Sequence, residues 1–149
     1  GCALVQPPSS IGADPVDLES YVSSFDYDER QDMKTSSREL LSLVMSGEAV
    51  LLDIRFAEEQ AAWGMGFGLK IPLDELPRRL DELPRDKLIV TACPYNDRAN
   101  IARLYLVTKG FNATYLSDGL LALVQSLRGG AARHFTYKMG PNLERPPTQ

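Results

Sequence analysis

Three short apolar runs punctuate the chain: "AVLLDI" at 49–54, "KLIVTA" at 87–92 and "ATYL" at 113–116. Each is continuous rather than alternating, which is the pattern of a strand covered on both faces. Helical periodicity fills the spaces between them. In "TSSRELLSLVMSGEA", Ser36 and Glu39 have capping-box spacing, Leu40, Leu43 and Val44 form a stripe, and Gly47 stops the helix. "DRANIARLYLVTKG" predicts a longer helix with Ile101, Leu104, Tyr105 and Val107 or Thr108 on one side and Gly110 as its stop. "DGLLALVQSLRGG" predicts another. After the first run, "EEQAAW" reads as a turn or two of helix, whereas the alternate glycines of "GMGFGLKIP" forbid one. Pro72 limits "LKI" to an edge strand or loop. Leu73, Leu76, Leu80 and Leu83 of "LDELPRRLDELP" have helical spacing that Pro84 closes. Strand and helix alternation of this kind predicts an α/β fold: a mainly parallel sheet with helices on both faces.

The pattern also divides the chain. Residues 1–32 read as a tether and acidic arm, 33–130 as the folded domain, and 131–149 as a C-terminal extension. In the arm, Asp14, Asp17, Glu19, Asp26, Asp28, Glu29 and Asp32 face only Arg30 of opposite sign, a composition that suits a solvated segment or an acidic contact surface. With 149 residues, 44% apolar and 24% charged, the whole has the make-up of one globular domain with tails. A formal charge of −4 gives no basic field, so neither nucleic acid nor an anionic membrane is expected as a partner. No apolar run reaches the length of a membrane span. Two cysteines, Cys2 and Cys93, are too few for a disulfide framework. The opening "GCALVQPPSS" is similar to what remains around the lipobox of a bacterial lipoprotein. Two readings of Cys2 stay open. An acylated Cys2 implies an envelope or periplasmic lipoprotein; an incidental tail thiol implies the cytoplasm.

Candidate chemistry concentrates in "TACPYNDRANIA". Ligands of an open parallel sheet sit where strands deliver loops to helix N-termini, and Cys93 follows the second apolar run at that position. Backbone N–H groups of such a loop converge on an anion, and the helix dipole adds positive potential. The thiol is therefore expected to ionise more easily than a free cysteine of pKa ~8.5. Arg98 adds a permanent charge and a fork of donors, to brace loop carbonyls or hold an anionic substrate. The bland reading of Cys93 is a small buried hydrophobe. His134, the lone histidine, lies in the tail segment, so spacing supports no Cys–His dyad and no metal cluster. Trp63 reads as a lid over the core. "GMGFG" follows a helix and leads to an edge strand, the wrong context for a nucleotide site.

"VLLDIR", "GMGFGLKIPLDEL", "LIVTACPYNDRANIARLYLVTKGF" and "ATYLSDGL" together resemble the single-domain rhodaneses over residues 33 to 130. The resemblance implies an α/β sandwich around a five-stranded, mainly parallel sheet. It implies a sulfurtransferase that needs no cofactor and no metal. In it Cys93 takes sulfane sulfur from thiosulfate or a thiol persulfide, holds it as a persulfide, and passes it to a thiol, protein or other nucleophilic acceptor. The site residues implied are Cys93 and Arg98 as catalytic, with Pro94, Tyr95, Asn96, Asp97 and Ala99 forming the active loop. Asp53 and Arg55, similar to the family's Asp-x-Arg, are supporting hydrogen-bond partners. Asp97 is expected to cap the helix that follows. The chain departs from the pattern in two places: Met65 stands where many relatives have a histidine, and no tryptophan follows Asp118 and Gly119. Two other functions stay open: a non-catalytic binding or redox-sensing module on the same body, and a phosphatase or arsenate reductase. The last pair usually needs five residues between cysteine and arginine, where this chain has four.

Overall fold

The strands of the described residues form one five-stranded sheet, every neighbouring pair parallel, in the order Lys34–Thr35, Ala113–Leu116, Leu88–Ala92, Ala49–Asp53, Leu69–Lys70. They are β1 (Lys34–Thr35), β2 (Ala49–Asp53), β3 (Leu69–Lys70), β4 (Leu88–Ala92) and β5 (Ala113–Leu116) in this computed structural model, which describes residues 14–140 and residue 143. Cys2 and the lipid anchor read from it lie outside the described residues. The helices are α1 (Leu18–Ser23), α2 (Tyr27–Asp32), α3 (Ser37–Met45), α4 (Ala57–Ala62), α5 (Asp97–Thr108), α6 (Gly119–Ser126) and α7 (Gly129–Met139).

The continuous apolar runs are explained by two cores, one on each face of the sheet. Leu52, Ile54, Ile89, Ala113 and Tyr115 turn to one face and pack with Ala99, Ala102 and Leu106 of α5. Ala49, Leu51, Val90, Ala92 and Leu116 turn to the other, against Leu40 and Val44 of α3, Leu120 and Leu123 of α6, and Phe135 of α7. Adjacent residues such as Leu51 and Leu52 thus serve opposite cores, the period-two alternation of a strand with no solvent face. Helix α3 carries the expected cap, with the Glu39 N–H on Ser36 Oγ at 3.2 Å and the Ser36 hydroxyl on Glu39 Oε1 at 3.1 Å.

Several elements differ from the sequence expectation. Ala99, Ala102, Arg103 and Leu106 are the buried side of α5, whereas Ile101 is 59% exposed. Tyr105 and Val107 of the expected stripe pack at the margin of the core, and the centre of the inner face is made mostly of small residues. The leucines of 73–83 lie on two short 3-10 helices, Leu73–Arg78 and Leu80–Glu82, instead of an α-helix. Pro77 lacks the N–H an α-helix needs there, yet Leu76 and Leu83 still reach the core. The acidic stretch forms α1 and α2, because Asp17 and Asp26 are N-caps that accept from the Ser20 and Glu29 N–H groups. Those helices bind the body: the Val16 N–H meets the Thr108 carbonyl at 3.3 Å, and Arg103 reaches Glu29 at 2.6 Å and the Tyr21 hydroxyl. Beyond Gly130, α7 places Phe135 4.8 Å from Phe67, ring to ring.

Candidate active site

Strand β4 is the middle of the sheet, and its last residue, Ala92, is in register with Asp53 at the end of β2. The loops leaving the two strands therefore lie side by side at the carboxyl edge. Cys93 is the first residue of one loop; Ile54 and Arg55 begin the other. On the far side, β5 delivers Ser117 and Asp118 to the start of α6.

The loop from Cys93 to Asn96 is held from two directions. Helix α6 supplies the first: the Leu120 N–H donates to the Cys93 carbonyl at 2.9 Å and the Leu121 N–H to the Pro94 carbonyl at 3.4 Å. In a trans peptide N–H and C=O point opposite ways, so fixing the Pro94 carbonyl on α6 turns the Tyr95 N–H inward. Gly119 makes this approach feasible, since its φ is +82° and a Cβ there would meet the Pro94 carbonyl oxygen at 2.3 Å. The opposite side is fixed by Thr91, whose hydroxyl donates to the Ala99 carbonyl at 2.8 Å and so ties the first turn of α5 to β4. Asn96 Nδ2 adds a bond to the Ser117 carbonyl at 3.4 Å.

Sγ of Cys93 sits inside this cradle. The Ala99 N–H donates to it at 3.3 Å, and the backbone N–H groups of Arg98 and Tyr95 also favour its charged form. Two influences oppose them. The residue is fully buried, and the Asp97 carboxylate accepts from the thiol at 3.7 Å. Burial is the largest influence, so the thiol is pushed up from its ordinary value, with the Asp97 charge adding to the rise. This corrects the expectation of an easily ionised cysteine: the amide nest is present, but desolvation outweighs it. The expected cap by Asp97 is corrected as well. Asn96 occupies the N-cap of α5 without a side-chain cap bond, and Asp97 turns its carboxylate to Cys93.

Arg98 does not point at a loop carbonyl. Its guanidinium forms a two-pronged pair with Glu59 of α4, Nη1 to Oε2 at 2.7 Å and Nη2 to Oε1 at 3.0 Å, and lies 5.4 Å from the Phe56 ring centre. Glu59 is fixed in turn by the Phe56 N–H at 2.8 Å. The Arg98 bonds pull the Glu59 carboxyl down to about 2. Sequence reading missed Glu59; the only signal was its place three residues after the turn that opens α4.

Asp53 and Arg55 form the neighbouring brace. Arg55 is fully buried, with Nε on Asp53 Oδ1 at 3.0 Å and Nη2 on Oδ2 at 2.7 Å. Its remaining donors reach the Glu59 carbonyl at 3.4 Å and the Trp63 carbonyl at 2.7 Å, and its guanidinium stacks 3.9 Å from the Trp63 ring centre. Trp63 thus covers Arg55 rather than the apolar core. The chain of contacts Asp53, Arg55, α4, Glu59 and Arg98 runs from β2 to the first turn of α5, so the two loops form one unit. Pro94, Tyr95 and Asn96 line its outer side, with Tyr95 and Asn96 exposed. His134 is elsewhere, along a groove between α3 and α7.

No family model matches the sequence. A curated sulfurtransferase from Allochromatium vinosum is 31% identical over 90 residues, which span 58% of this chain and 75% of that protein. Among solved structures, a rhodanese-related protein from Thermoplasma volcanium superposes with a TM-score of 0.57 at 22% identity, over 62% of this chain and 91% of the other. A rhodanese homolog from Thermus thermophilus gives 0.50 at 28% identity, over 60% and 99%. The parallel sheet with two covered faces, the structural likeness and the curated relative agree, and the chain belongs to the rhodanese-like sulfurtransferase family.

Proposed function

We propose that the protein moves sulfane sulfur through a persulfide on Cys93, from thiosulfate or a thiol persulfide to a nucleophilic acceptor. The observation that carries this reading is the inward set of amides around Sγ, with the Ala99 N–H at 3.3 Å and the loop carbonyls occupied by α6. After the thiol proton is lost to solvent, the Cys93 sulfur attacks the outer sulfur of the donor. The donor's S–S bond breaks, its inner sulfur leaves as sulfite or a thiolate, and Cys93 keeps the transferred atom. A persulfide carries its negative charge farther from the protein than a thiolate does, where converging N–H groups can stabilise it. In the second half-reaction the acceptor attacks that terminal sulfur and Cys93 departs as a thiolate, its charge met by the same amides. Arg98 holds the start of α5 through Glu59, and Asp53 and Arg55 hold α4; these are positioning roles.

Sulfur transfer from thiosulfate or a thiol persulfide to cyanide tests the reading. Wild type should turn over and Cys93→Ser should not. Equal rates in both proteins would remove Cys93 from the mechanism. A docking or redox-sensing module is the second reading, favoured by the complete burial of Cys93. It predicts no turnover with any donor.

A further inference from the structure

We infer that Asp97, with Glu59 acting through Arg98, sets the donor class: sulfane sulfur on an uncharged organic thiol carrier is accepted and dianionic thiosulfate is discriminated against. The inference rests on the reading of Cys93 as the sulfur carrier and specifies what reaches it. Asp97 touches the reacting atom, with Oδ1 3.7 Å from Sγ, and is itself exposed, so a donor that reaches the buried sulfur meets this carboxylate on the way. Arg98 is the cation of the loop, and both of its terminal nitrogens are engaged by Glu59 at 2.7 and 3.0 Å. Asp97, Arg98 and Glu59 together carry one net negative charge. A dianion approaching that group is repelled, and the fork that would grip its oxygens is already closed on a carboxylate. The acid at the mouth is not spent on capping α5, which leaves its charge directed at the thiol.

The chemistry balances without an outside oxidant. Cys93 loses its proton to solvent and bonds to the outer sulfur of R–S–SH. The S–S bond of the donor breaks, RS⁻ leaves and is protonated by solvent, and the products are the Cys93 persulfide and R–SH. With an uncharged R group the donor carries at most the single charge of an ionised persulfide, against two on thiosulfate, and as R–S–SH it carries none, so it is repelled less on this route.

The test compares kcat/KM for thiosulfate and for 2-mercaptoethanol persulfide, in wild type, Asp97→Asn and Glu59→Gln. The ratio of thiosulfate to mercaptoethanol persulfide should rise roughly tenfold in Asp97→Asn, the scale of one unit charge near a dianion. It should also rise in Glu59→Gln, where Arg98 is released. In wild type the same ratio should climb as ionic strength screens the mouth, a readout that needs no variant to fold. A ratio unchanged or lowered in Asp97→Asn, or one that falls with salt in wild type, overturns the inference while leaving sulfur transfer intact. A ratio unmoved in Glu59→Gln overturns the part assigned to Glu59. Wild type charged by neither donor overturns the sulfur-carrier reading and this inference with it.

Discussion

At the scale of single residues, the site is a competition among charges around one sulfur. Burial and Asp97 raise the Cys93 thiol above its ordinary value, and the Ala99, Arg98 and Tyr95 amides pull it back. Alkylation by uncharged iodoacetamide should therefore be slow at neutral pH, rise into a more alkaline range than for a free cysteine, and shift toward lower pH in Asp97→Asn. An unchanged profile in that variant would contradict the contact. Glu59 has the opposite sign. Arg98 holds its carboxyl down at about 2, so its stabilising pairing is complete above the ordinary value of 4.5 and is lost as pH falls through about 2. Carboxyl NMR should show that low titration, and it should move up in Arg98→Ala. The buried pair is the sensitive point for stability. Removing Arg55 leaves Asp53 uncompensated, and Arg55→Ala should cost about 3–5 kcal/mol in denaturant unfolding. The place of Cys93 after a strand and the start of a helix around Arg98 were legible, because both follow from local pattern in the chain. Glu59 was not, since the contact joins residues 39 positions apart, and a glutamate in a short helix resembles any surface charge.

At the scale of elements, the loop depends on α6. Gly119 has φ +82° and faces the Pro94 and Tyr95 carbonyl oxygens, with room for no Cβ. Gly119→Ala should destabilise by more than about 1 kcal/mol and lower sulfur transfer further than the unfolded fraction explains, because the loop amides lose their aim. Full activity in a folded Gly119→Ala protein would deny α6 that role. The preceding residue joins α6 to α3, since the Asp118 carboxylate accepts from the Ser37 N–H at 3.0 Å and from the Ser37 hydroxyl at 2.8 Å. Legibility at this scale was uneven for a physical reason. Strands β2, β4 and β5 are buried on both faces and so announce themselves as apolar runs. Helix α5 instead buries Ala99, Ala102, Arg103 and Leu106 and exposes Ile101, so its apolar stripe lies to one side of its inner face, with Tyr105 and Val107 at the margin of the core. The two-residue strand β1 has no periodicity to read; it is defined by pairing Lys34 and Thr35 with Tyr115 and Leu116.

At the scale of the whole molecule, the described residues form two cores on either side of a sheet, with the Cys93 sulfur at its carboxyl edge. The alternation of apolar strands with helices made this architecture legible, whereas the attachment of both ends of the described chain depends on long-range contacts that periodicity does not encode. Arg103, buried in α5, receives Tyr21 and Glu29 from the acidic segment, and Phe135 closes the core beneath Phe67. Phe135→Ala should cost about 3 kcal/mol or more in unfolding free energy, while the sulfur chemistry of the folded fraction persists at the opposite sheet edge. The central claim concerns one atom, and intact mass spectrometry observes it directly. Wild type incubated with thiosulfate or a thiol persulfide and freed of excess donor should gain the mass of one sulfur, removable by cyanide or a thiol and absent in Cys93→Ser. No gain with any donor, or an equal gain in Cys93→Ser, would contradict the account.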